Sequence, residues 1–224
     1  MIRILSKLFM GWDSVFDVLP TVVIVALIYW FSRRKKHRKA FGEDFKEIRK
    51  KVRLNEIIRL LFVCYITGVA CMTLFTTQFW GCFWRLQFRE MLPHSFRGWR
   101  GFRFVPSWWY AIEDKRFFRD FLRYEFISQI ENIIFFIPMG FLLPLVWKKA
   151  NFAKTVLIGF ACTSFIEIVV QPFMNRDPTI DDIICNTLGT VLGYLMYLLM
   201  KKIFPKFTEK CKTGVIENQS KEPL

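Results

Sequence analysis

The chain is poor in the residues from which most enzyme centres are built. It has two histidines, His37 and His94, and neither lies in an apolar run. The sequence therefore positions no Ser-His or Cys-His pair for nucleophilic catalysis. Its six cysteines form no CxxC or CxxxC pair, and four of them (Cys64, Cys71, Cys162 and Cys185) fall inside apolar runs. That pattern excludes a disulfide framework and a cysteine zinc site, and reads the cysteines as small apolar fillers. No metal and no cofactor are expected. A Gly-rich phosphate loop, an internal repeat, and RNP, zinc-finger or helix-turn-helix patterns are also missing. Acidic residues are scarce, 19 against 33 Lys and Arg, for a formal net charge of +14. In a soluble protein that balance points to nucleic acid. Here most of the basic residues border apolar runs, so they read as topology signals and contacts to anionic lipid, with no nucleic-acid partner.

Apolarity is abundant. Of 224 residues 53% are hydrophobic, with 26 Phe and 8 Trp. They fall in five runs of about the length a bilayer requires. The runs are Ser14–Phe31, Ile57–Phe79, Asn132–Trp147, Phe152–Gln171 and Ile180–Met200. The third is short unless Phe126 to Glu131 extend it. The first holds Asp17 and Pro20, and no small-x-small cleavage pattern precedes "RRKKHRK", so it reads as a retained anchor. The fold class expected is all-α, a polytopic bundle of about five transmembrane helices. Eleven basic residues lie between Arg33 and Arg53, with Lys148, Lys149, Lys154, Lys201, Lys202, Lys206 and Lys210 bordering later runs. They share one side if the N-terminus is outside and the C-terminus inside. The loop from Trp80 to Glu125 runs against this, with nine Lys/Arg to five acids. Its length lowers its weight, and "FRFVPSWWY" reads as lying against headgroups.

Two stretches have helical amphipathic spacing, "FKEIRKKVRLNEIIRLL" and "KRFFRDFLRYEFISQI". Each reads either as an interfacial helix or as an ordinary helical extension. The polar tail after Phe207 is expected to be disordered.

Polar residues gather in one place. In the expected topology Glu167 and Gln171 lie at the outer end of the fourth span. Asp181, Asp182 and Asn186 lie at the outer start of the fifth, with Arg176 in the turn between, and Glu131 and Asn132 begin the third. Ser164 precedes Glu167 by three residues and Gln171 follows it by four, which aligns them on one helix face. Asp182 and Asn186 share the same spacing, and Gly189 and Gly193 continue their stripe as GxxxG, a close-packing pattern. The acids are thus expected to face the bundle interior. A charge at mid-bilayer costs about 2.5–3.5 kcal/mol, less near the interface, so such groups seek partners. Arg176 is the expected cation partner, and Asn132 and Asn186 the expected amide donors. Capping offers another account of some members. Thr179 with Asp182 reads as a capping box, and Ser128 with Glu131 as a second. Neither accounts for Glu167, deep in its run, or for Asn186. In the third run Pro138, Gly140 and Pro144 predict a kinked helix, for packing or for lining a cavity.

The segments "ENIIFFIPMGFLLPLVW", "SFIEIVVQ" and "NRDPTIDDIICNTLGTVLGYLM", preceded by "FRFVPSWW", resemble the VanZ-like membrane protein family. The similarity runs from about Phe102 to Leu199. One departure is Thr179, where the family often carries an extra Asp. On this likeness residues 56–205 form a VanZ-like transmembrane domain, after an anchor and basic linker (1–55) and before the tail (206–224). The resemblance implies a protein of the bacterial cytoplasmic membrane, since the founding member is associated with resistance to teicoplanin, a lipid-tailed glycopeptide.

Two functional readings follow. In the first the protein is not an enzyme. Its polar cluster at the outer leaflet binds a lipid-linked or lipid-anchored ligand, a wall precursor or a lipoglycopeptide, or modifies antibiotic access, and so affects susceptibility to teicoplanin-type glycopeptides; membrane lipids are its other partners. In the second it is a membrane-embedded enzyme on an envelope lipid or a lipid-linked wall precursor, with Glu167 and Asp182 as acid and base and Arg176 on a phosphate. The missing histidine pair weakens this reading. A transporter is a third, without visible inverted repeats.

Overall fold

In the computed structural model, residues 2–41, 45–74, 102–113, 118, 125–173 and 177–212 are described. The elements are α1 (Ile2–Phe41), α2 (Phe45–Leu74), α3 (Ser107–Glu113), α4 (Phe126–Val146), α5 (Phe152–Phe165), α6 (Ile180–Ile203) and α7 (Pro205–Lys212). A five-residue π-helical segment, Ile166–Val170, continues α5 directly, followed by a last α turn, Gln171–Phe173. The protein is an all-α polytopic membrane bundle. Among the described residues, four helical stretches are long and apolar enough to cross a bilayer: Arg53–Thr73, Phe126–Val146, Phe152–Val170 and Ile180–Ile203. The first expected span falls within α1, where side chains before Phe16 and that of Asp17 lie outside the described residues. The third span does extend upward to Phe126.

Leu157, Phe165, Ile134 and Leu199 are each more than half exposed. In water such faces would aggregate; in hydrocarbon they are satisfied, and helices bond most of their backbone groups internally.

Local signals set the helix ends. Asn151 caps α5, its Oδ1 accepting from the Lys154 amide at 2.9 Å. Thr179 is extended and caps α6, its Oγ1 accepting from the Asp182 amide at 3.2 Å. The first turn of α6 holds Asp181 and Asp182 and its last turn Lys201 and Lys202, each suited to its end of the helix dipole.

The central seam joins α4 to α6. A methyl group added at Gly193 would overlap the Ile137 carbonyl, and one at Gly140 would overlap the Thr190 carbonyl. Gly189 sits equally close to Ile133. The GxxxG stripe therefore brings the two backbones together, as its spacing predicts. Pro138 and Pro144 both lie inside α4, and Pro144 is fully buried.

Two expectations need correction. The tail is not wholly without structure: α7 runs to Lys212, with Cys211 fully buried and Thr208 at 3% exposure. It is anchored because the Cys211 carbonyl accepts from buried Asn55 Nδ2, a tertiary contact invisible to composition. Ser128 is not a helix cap, because α4 is already under way at Phe126. Of the two amphipathic stretches, the faces of the first before Arg53 and most of the second lie outside the described residues.

Candidate functional site

The π-helical segment is the local irregularity from which the site is built. There the Gln171 amide donates to the Ile166 carbonyl, one residue further back than in an α-helix. Such widened turns occur mostly as single bulges and are frequent at functional sites. Glu167 is the second residue of this one.

Glu167 is 2% exposed. Its Oε2 accepts from the Thr179 backbone amide at 3.2 Å, and its Oε1 from Gln171 Nε2 at 3.4 Å. The carboxylate thus ties the end of the α5 run to the start of α6. Gln171 is buried as well, and its Oε1 has no hydrogen-bond partner among the described residues.

Asp181 is 5% exposed. Its Oδ2 accepts from the Ser107 amide at 2.9 Å and its Oδ1 from Gln129 Nε2 at 3.4 Å. Gln129 also donates to Ser107 Oγ at 2.9 Å. Ser107 is held there by a single parallel bridge, in which the Arg103 amide donates to Pro178 O and the Ile180 amide to Arg103 O, both at 3.1 Å. A loop segment before α3 is in this way stitched to the α5–α6 turn. Asp182, half-buried, accepts from Asn132 Nδ2 of α4. Asn186 reaches the opposite neighbour, donating to Thr163 Oγ1 of α5 at 2.9 Å, and its Oδ1 has no partner among the described residues.

The structure therefore brings Asn132, Glu167, Gln171, Asp181, Asp182 and Asn186 to one end of the bundle, on three helices joined by direct hydrogen bonds. Ser164 also belongs to this end, its buried Oγ lacking a hydrogen-bond partner among the described residues. Glu131 does not join the network; it is exposed on α4, one residue from Asn132 but on a different face. Arg176 lies outside the described residues. Both accounts of α6 apply together, since Thr179 caps the helix while Asp181 and Asp182 bond outward to other elements.

Sequence reasoning missed four participants. Gln129 stands three residues before Asn132, so helical spacing could have found it. Thr163, Ser107 and the Thr179 amide carried no signal, since each acts through an approach between distant segments. Among the described residues, no group of three His, Cys, Asp or Glu side chains could hold a metal ion.

The family profile described as VanZ/LLP1 matches residues 62–201. The chain belongs to the VanZ/LLP1 family. Over 78 residues it is 34% identical to Protein VanZ of Enterococcus faecium, which covers 35% of this chain and 48% of that protein. The aligned part thus spans about half the length of this VanZ relative. No solved structure matches the chain. The VanZ/LLP1 region takes in the seam glycines and the network residues of α4, α5 and α6; Ser107 and Arg103 lie within it too.

Proposed function

We propose that this VanZ-like protein sits in the bacterial cytoplasmic membrane and lowers susceptibility to teicoplanin-type glycopeptides through the polar cluster around Glu167. In this reading the N-terminus is outside, and the cluster faces the outer leaflet. There it meets a lipid-anchored ligand, either a lipid-linked wall precursor or a lipoglycopeptide. Membership of the VanZ/LLP1 family supports the antibiotic connection. The observation that carries the site is Glu167 itself, a carboxylate buried in an irregular turn of a membrane span. Helix capping does not explain it, and ionisable groups at such places are functional by default. Its surroundings are built to bind and orient. They hold no paired nucleophile and base among the described residues, which favours ligand binding over catalysis.

The test is antibiotic susceptibility in a sensitive bacterium expressing the full chain, compared with Glu167→Gln and Asp182→Asn variants at matched membrane levels. Wild type should raise the teicoplanin concentration needed to stop growth, and both variants should lose most of that effect. If wild type changes nothing, or the variants match it, the reading fails.

A further inference from the structure

Directly beside the polar cluster lies an apolar cavity of about 250 Å³. Val69 and Ala70 of α2, Phe136 and Met139 of α4, and Ile166 and Val170 of the π-helical segment line it. Two hydroxyl residues also border it, and both turn their hydroxyls elsewhere. Tyr65 donates to the Phe135 carbonyl at 3.1 Å, and Thr73 to the Val69 carbonyl at 2.7 Å. Among the described residues, nothing in the wall offers water the two to four partners it needs, so the cavity suits hydrocarbon rather than water. It also has a doorway. Ile66 and Phe165 line it while remaining 38% and 58% exposed, so it opens sideways onto the lipid-facing surface.

The same π-helical segment joins this cavity to the polar cluster. Ile166 and Val170 face the cavity, and Glu167 stands between them in sequence. Gln171 follows, with its buried Oε1 unpartnered among the described residues. Because its Nε2 donates to Glu167, that open atom is an acceptor and asks for a donor. It is a neutral amide oxygen, which suits a hydroxyl.

We propose that the cavity between α2, α4 and the π-helical segment holds one alkyl chain of a membrane lipid whose head carries hydroxyl groups, with a head hydroxyl donating to Gln171. The chain enters through the gap at Ile66 and Phe165. The π-helical turn is the hinge of this amphipathic site, apolar on one side and acceptor-rich on the other. The proposal deepens the reading above and rests on it for the role of the head site.

The experiment uses the full chain in phosphatidylcholine nanodiscs. One probe is a monoglucosyl diacylglycerol with a photoactivatable diazirine in one chain; the other is phosphatidylcholine with the same chain, whose head has no donor. Labelled residues are mapped by mass spectrometry. The glucosyl probe should mark Ile66, Val69 and Ile166 above the general lipid-facing background, and more strongly than the choline probe. Val69→Trp, which fills the cavity, should abolish that excess, and Leu157→Trp, on a lipid-facing surface elsewhere, should not. Should Val69→Trp fail to fold, the smaller Ala70→Leu takes its place. Gln171→Leu should leave the chain label in the cavity but remove the preference for the glucosyl head.

Labelling spread evenly over lipid-facing surfaces, or unchanged by cavity filling, overturns the chain site. Equal labelling by both probes in wild type overturns the head assignment. Cavity labelling with unaltered antibiotic susceptibility would leave this inference standing and remove the antibiotic reading, so the two fail separately.

Discussion

At one end of the bundle, Arg33 grips Glu56 with two nitrogens, Nε at 3.0 Å and Nη2 closer still. His37 lies 3.7 Å from the same carboxylate. Nearby, Asn55 is 1% exposed and uses both ends of its amide, donating to the Cys211 carbonyl and accepting from Arg59 Nε at 2.8 Å. Lys212 Nζ donates to the Tyr197 hydroxyl at 2.7 Å and also stands over its ring. At the other end Glu167 and Asp181 accept from backbone amides and side-chain carboxamides, and Gln171 and Asn186 keep open acceptors. The first arrangement closes on itself. Opposite charges meet, the carboxamide is fully used, and α1, α2, α6 and α7 are locked together. The second leaves unmet hydrogen-bonding capacity in a buried place, which costs stability unless something fills it. On the proposed function, the contrast separates a structural polar site from one that takes a ligand.

The seam between the two ends offers the largest disruption. Gly193→Leu forces α4 and α6 apart, and overpacking of this kind costs about 1–3 kcal/mol, occasionally more. We expect loss of the folded species in detergent by size-exclusion chromatography, whichever polar end is intact. If Gly193→Leu behaves like wild type, the close approach is not what holds the ends in register.

Glu167→Leu and Glu167→Gln come next. The leucine leaves the Thr179 amide buried without an acceptor, for a cost of about 1–3 kcal/mol. Glutamine keeps an acceptor and should retain most of the melting temperature while losing the teicoplanin effect. Equal destabilisation by both would make Glu167 a structural group like Asn55, and erase the contrast.

Asn55→Leu sharpens the comparison from the other side. It orphans the Cys211 carbonyl and releases Arg59, again at about 1–3 kcal/mol. Thermal unfolding should fall and limited proteolysis should reach α7 first, while wild-type susceptibility is kept at matched protein levels.

The smallest effect concerns pH. Burial, the largest cause, lowers the His37 pKa below its ordinary 6.5, and the neighbouring Glu56 opposes the shift only in part. The unfolded chain therefore binds the proton more readily, so stability is full above about 6.5 and declines as pH falls toward the folded value. A melting series from pH 8 to pH 5 should show this slope in wild type and a shallower one in His37→Gln.

Much of this was legible in advance. Apolar runs of bilayer length predict α2, α4, α5 and α6, because hydrocarbon leaves a backbone few ways to bond itself. Spacing predicts that Gly189 and Gly193 share a face with Asp182 and Asn186, and the seam is built on that face. Family membership was readable from the order of Asn132, Pro138, Glu167, Asp182 and Gly189. Glu131 was grouped with Asn132 by depth alone, but adjacent residues of a helix do not share a face, and Glu131 is exposed. The helical tail at α7 was missed because its stabilising contact crosses from α2.

What the amino-acid order determined alone is periodic and local: which stretches enter lipid, which face of each is small or polar, and where Thr179 and Asn151 begin a helix. What only the tertiary structure decided is where distant segments meet. The π-helical turn at Glu167, the bridge from Arg103 to the α5–α6 turn, the Asp181–Ser107 bond and the cavity at Ile166 have no periodic signature. Each exists because long-range packing brings together backbone amides and side-chain surfaces that lie far apart along the chain.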